Sequence, residues 1–170
     1  MICFARGVGM ARGGDPSRAE AEQRRIRTIH DALAAGPAGA GEWTLPTAVL
    51  EQELAAWIAS AEGRPADAVR LMAAAAELEE STEKLPITPG PLLPAREQLG
   101  EVLLAADEPM AALRAFEASL RSSPNRFGGL YGAAKAAQAS NQPEKARFYF
   151  AKLLEVCHRA ESDRAELAEA

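Results

Sequence analysis

The chain has 170 residues, 48% of them hydrophobic but only 5% aromatic, and a formal net charge of −5. That length supports one domain with a real core. The acidic balance argues against a dedicated nucleic-acid binder, and no run reaches the roughly 18 apolar residues of a membrane-spanning helix, so neither nucleic acid nor membrane is an expected partner. Much of the apolar share is alanine, Ala73 to Ala76 being one run, which favours helix and close packing but buries little area per residue. No segment alternates in the manner of a strand, so the expected class is all-α. Cys3 and Cys157 form no spaced motif, which leaves a disulfide framework unsupported. The first residues contain no apolar stretch long enough for a signal peptide, and the chain reads as cytoplasmic.

In chain order, residues 1–12 read as a helix that begins mid-hairpin, as either a fragment of a larger scaffold or a short relative of longer repeat proteins would. A second helix runs from Asp15-Pro16 to about Ala35, with Ile26, Ile29 and Leu33 as its stripe. Gly36 to Gly41 is a flexible joint. The next helix starts near Pro46, carries Leu50, Leu54, Trp57 and Ile58, and ends at Gly63; its partner runs from Pro65 to about Glu80. Residues 81–94 hold Pro86, Pro89, Pro91 and Pro94, which forbid helix and stiffen the segment. Leu85, Ile87, Leu92 and Leu93 are apolar enough to pin it down as a strap; the other reading is a cover over a binding site. Helix resumes over 95–106, then 109–122, 125–140 and 143–158, and a weakly helical tail, 159–170, caps the last pair or frays.

Four units share one spelling: Asp15-Pro16-x-x-Ala19, Arg64-Pro65-x-x-Ala68, Glu108-Pro109-x-x-Ala112 and Gln142-Pro143-x-x-Ala146. A proline at a helix start with a small residue one turn later marks the second helix of a close-packed hairpin. Ala112 to Ala146 is 34 residues, Ala68 to Ala112 is 44 and Ala19 to Ala68 is 49, the excess falling on the proline stretch and the glycine joint. With Leu99-Gly100, Phe116 and Pro124, then Leu130 and Phe150, the chain resembles the tetratricopeptide-repeat superfamily. The residues Thr82 to Pro91, Pro94-Ala95-Arg96-Glu97, Pro124 to Phe127 and Tyr131 to Ala134 are similar to the C-terminal half of a family of longer bacterial tetratricopeptide proteins. No activity travels with that resemblance. It implies one domain, 1–170, as a right-handed solenoid of about four hairpins (1–35, 46–80, 95–122, 125–158) with seven to nine helices.

Motifs for chemistry are sparse. His30 and His158 are the only histidines; Cys157 and His158 diverge by about 100° on a helix and cannot share an ion. The His30-Asp31 doublet lacks the further histidines a metal phosphohydrolase requires. Gly7-Val8-Gly9 has no preceding strand to make a phosphate loop, and Glu79, Glu80 and Glu83 read as a solvated acidic face. No catalytic residue, metal or cofactor is assigned, and the chain is expected not to be an enzyme.

Binding is the expected work. Carried over by register, the superfamily's concave groove would be lined by Glu53, Trp57 and Ser60, by Glu97, Glu101 and Leu104, and by Tyr131, Lys135 and Gln138. Trp57 has a competing place in the core, and Tyr131 can pack on one side while donating on the other. Only Lys135 is a base among them, so the expected partner is a basic or apolar protein or peptide segment rather than an acidic C-terminus. Two rival readings stand. Residues 51–83 carry eight acids and two bases, and 112–159 eight bases and three acids, which suits a homodimer docked head to tail. Alternatively, the 81–94 loop roofs a small-molecule or catalytic site.

Overall fold

A computed structural model describes residues 1–36, 43–81, 91–158 and 164–170. Among the described residues every regular element is a helix: α1 (Ile2–Arg12), α2 (Pro16–Ala34), α3 (Thr44–Ala61), α4 (Pro65–Glu80), α5 (Ala95–Ala105), α6 (Pro109–Ser122), α7 (Phe127–Ala139), α8 (Pro143–Cys157) and α9 (Ala165–Glu169). The fold is all-α, with helical hairpins following one another along the chain. Most of the glycine joint (37–41), the greater part of the proline stretch (82–90, with Leu85 and Ile87) and residues 159–163 of the tail lie outside the described residues.

The four Pro-x-x-Ala units share one backbone geometry. Gly14, Gly63, Asp107 and Asn141 all take a left-handed conformation, with φ of 82°, 71°, 60° and 56°. The next residue in each case bonds back across the turn: Asp15 N–H to the Met10 carbonyl at 2.9 Å, Arg64 to Ala59 at 2.9 Å, Glu108 to Leu103 at 2.9 Å and Gln142 to Ala137 at 2.8 Å. Such a six-to-one bond satisfies a carbonyl that the ending helix leaves open. Proline then opens α2, α4, α6 and α8 at a position where an N–H has no helical partner to lose. One turn later Ala19, Ala68 and Ala112 have no exposed surface and Ala146 has 5%. Enlarging any of them would force the paired helices apart, at about 1–3 kcal/mol. Asp15 adds a side-chain cap, its Oδ1 accepting from the Arg18 N–H at 3.1 Å.

Three local expectations shift. Helix α3 starts at Thr44 rather than Pro46, because proline is tolerated anywhere in a first turn. Its start is braced by the Thr47 hydroxyl, which donates to the carbonyls of Trp43 and Thr44 at 2.8 and 2.9 Å. Helix α7 starts at Phe127 rather than Asn125, since Asn125 is left-handed and Arg126 extended. On α2, Ile29 is exposed; the covered face runs through Ala19, Glu22 and Ile26 and continues to the half-buried His30 and Leu33.

Close contacts divide the chain into two compact units, Met1–Gln98 and Leu99–Ala170. In the first, α1 packs on α2 and α3, α2 on α3, and α3 on α4. A Cβ at Gly7 would sit 2.5 Å from Leu54, so Gly7 is a close-approach residue between helices. The start of α5 is fastened to the end of α4. Glu79 Oε2 accepts from the Ala95 N–H at 3.2 Å, and the Arg96 guanidinium forks onto both Glu80 oxygens at 2.8 and 2.5 Å. Glu79 and Glu80 therefore do more than face solvent. In the second unit, α6 packs on α7 and α7 on α8. Phe116 of α6 has no exposed surface, and a Cβ at Gly100 or Gly132 would lie 2.6 or 2.3 Å from its ring. No helix among the described residues is long and apolar enough to cross a membrane.

Candidate functional site

The register that names the candidate residues places them in very different surroundings. In the first unit, Glu53 and Trp57 stand one turn apart on α3, with 1% and 7% exposure. Both turn toward Gln98. The indole N–H of Trp57 donates to Gln98 Oε1 at 2.8 Å, which leaves the Gln98 amide nitrogen to donate to Glu53 Oε1 at 2.7 Å and to the Leu93 carbonyl at 3.2 Å. Because indole can only donate, this chain fixes which way the Gln98 amide points. The Arg12 guanidinium lies over the Trp57 ring, 4.8 Å from its centroid, an attractive placement for a cation. Burial, and then the nearby Glu79 carboxylate, push the Glu53 carboxyl up to about 9 against the opposing hydrogen bond from Gln98. Glu53 is therefore neutral at physiological pH and acts as a buried hydrogen-bonding strut. Glu97 is also buried, at 2% exposure, while Ser60 is half-buried.

In the second unit, Glu101 and Leu104 on α5 are half-buried. Helix α7 turns Gly129, Leu130, Gly132, Ala133, Ala134, Ala136 and Ala137 inward. What remains is a stripe of Phe127, Tyr131, Lys135 and Gln138, of which the first three are half-buried and Gln138 is exposed. The short helix α9 meets this stripe. Arg164 sits over the Phe127 ring at 4.5 Å from its centroid. Lys135 Nζ donates to Glu169 Oε1 at 2.5 Å, and the Tyr131 hydroxyl donates to Glu169 Oε2. One carboxylate thus receives a cation on one oxygen and a neutral donor on the other. The bond to Glu169 pushes the Tyr131 phenol up to about 12, and the bonds from Lys135 and Tyr131 hold the Glu169 carboxyl below its ordinary range. Tyr131 also packs edge-on against Phe150 of α8, with centroids 6.4 Å apart.

Gln98, Arg12 and Glu169 have no part in the groove positions given by register. Each reaches its partner across a long stretch of chain, 41 residues for Trp57 to Gln98 and 38 for Tyr131 to Glu169, and neither period nor motif records such a distance. The histidines act locally. His30 Nδ1 donates to the Thr44 carbonyl at 3.1 Å and lies 3.2 Å from the Thr47 hydroxyl, bracing the start of α3; His158 Nδ1 donates to the Glu155 carbonyl at 2.8 Å. Among the described residues no group of three or more histidine, cysteine, aspartate or glutamate side chains is placed to hold a metal ion. No protein-family model and no curated protein sequence matches the chain.

Proposed function

We propose that the chain is a non-enzymatic, tetratricopeptide-like module that binds a protein or peptide segment along its first-helix faces. Support comes from the hairpin turn repeated four times with one left-handed residue, one back-bond, one proline and one buried alanine. Arrays of this kind hold their surfaces rigid, so a ligand orders little of the protein on binding. The observation that carries the reading is the α7 stripe, whose polar ends already grip a side chain from elsewhere in the sequence. Glu53 and Glu97 support the module from inside, while Tyr131, Lys135 and Gln138 do the recognition.

The chemistry of that face departs from the partner expected from sequence. A lysine and a phenol converging on one carboxylate favour an acidic group over a basic one. The test is a titration of the full chain against acidic, basic and apolar peptide sets, beside the Tyr131→Ala and Gln138→Ala variants. Acidic peptides should bind, and Tyr131→Ala should weaken them by about tenfold. If no set binds, or if every bound peptide tolerates both variants, the assignment of this face is wrong. Self-association is the second reading, favoured by the fact that the group now held on the stripe belongs to the same chain.

A further inference from the structure

Among the described residues, the segment 164–170 lies against the α7 stripe through Arg164 and Glu169, and every copy of the chain carries both the segment and the stripe. Helix α9 spans five residues, none of them buried. A helix that short does not sustain itself and is held by what it touches. Three side-chain contacts run in the same order along both segments: Arg164 on Phe127, then Glu169 on Tyr131 and Lys135. They are polar, surface-level contacts, of the kind that exchange with solvent and partners at low cost.

We propose that α9 is an exchangeable arm, and that the partner of the α7 stripe is the 164–170 segment of a second copy, whose Glu169 completes the site formed by Tyr131 and Lys135. The inference rests on the reading of α7 as an interaction face and names its occupant. Reciprocal exchange reproduces in the dimer each contact of the closed monomer, twice and with two-fold symmetry. No new surface has to be complementary. The monomer is favoured when dilute, because an arm on the same chain has a high effective concentration near its own stripe. Raising the protein concentration shifts arms onto neighbours, and salt weakens both arrangements through the Lys135–Glu169 pair.

Carbodiimide coupling, which joins an amine to a carboxylate only in direct contact, separates the two arrangements. In the wild-type chain it should yield a Lys135–Glu169 cross-linked peptide, identified by mass spectrometry. The decisive sample is an equimolar mixture of two full-length variants, Lys135→Glu and Glu169→Lys. Neither variant alone retains both Lys135 and Glu169, so that cross-link in the mixture can only join two copies. Charge repulsion within each variant also frees its arm for the other. The expected result is the cross-link in the mixture, rising with concentration and falling several-fold in high salt. A wild-type cross-link with none in the mixture would overturn arm exchange while leaving the α7 face intact as a binding surface. Absence of the cross-link from the wild type as well would remove the α7–α9 contact itself, and the inference with it.

Discussion

Glu53 and Trp57 on α3 stand fifteen and eleven residues before Ala68, and Tyr131 and Lys135 on α7 stand fifteen and eleven before Ala146. The two pairs are equivalent by register and opposite by environment. Gln98, from the helix that opens the following hairpin, closes over the first pair, which is left with 1% and 7% exposure. The second pair, beyond the edge-on contact of Tyr131 with Phe150 in its own hairpin, is met by the five-residue α9 and stays half-buried. The difference teaches that register in a repeat names a face, whereas what packs over that face decides whether it is sealed into the fold or left partly open.

Breaking the buried side of the comparison should cost most. Gln98→Leu leaves the Trp57 indole N–H and the Glu53 carboxyl without their shared partner, and a buried polar group so orphaned costs about 1–3 kcal/mol. A loss of about 3 kcal/mol is expected in urea unfolding, with amide hydrogen exchange accelerated mainly over residues 44–80. A loss below about 1 kcal/mol would mean that the polar chain is incidental. Next in size is Gly132→Ala, which thrusts a methyl group against the fully buried Phe116 ring. Overpacking of this kind costs about 2 kcal/mol, and the faster exchange should fall within 99–158. An unchanged melting curve would show that the ring moves aside freely.

The smallest effect per step is a dependence on pH. The Glu53 carboxyl is raised in the folded chain to about 9 from 4.5, so its neutral form is the one that folding favours. Its contribution is fully present below the unfolded value and is lost as pH climbs toward the folded one. Between those limits stability should fall by about 1.4 kcal/mol per pH unit on account of this group alone. Glu53→Gln keeps an acceptor for Gln98 and removes the titration, so the slope of the wild type minus that of the variant isolates it. Parallel pH profiles would show that Glu53 is ionised in the fold.

The hairpins were legible because their signals are local. Proline and the alanine one turn later act within four residues, and four helix starts fall on the expected proline. Asn125 departs from the expected helix start because asparagine serves a helix start and a left-handed turn equally well. Ile29 departs from the expected stripe because a three-residue step and a four-residue step both fit helical period, and His30 takes the covered position. The site was legible only as a set of positions. Which of Glu53, Glu97, Tyr131 and Lys135 would be sealed off depended on Gln98 and Glu169, at sequence separations where propensity carries no information.

The placement of Trp57 against Gln98 has an optical consequence. Both tryptophans of the chain, Trp43 and Trp57, belong to the first unit, and both tyrosines, Tyr131 and Tyr149, to the second. Indole emission therefore reports one unit and phenol absorbance the other, with no label added. Both phenols are pushed up to about 12, Tyr131 by its bond to Glu169 and Tyr149 by burial beside Glu117, so release of Glu169 should register in the ultraviolet as one of the two ionising at lower pH than the other.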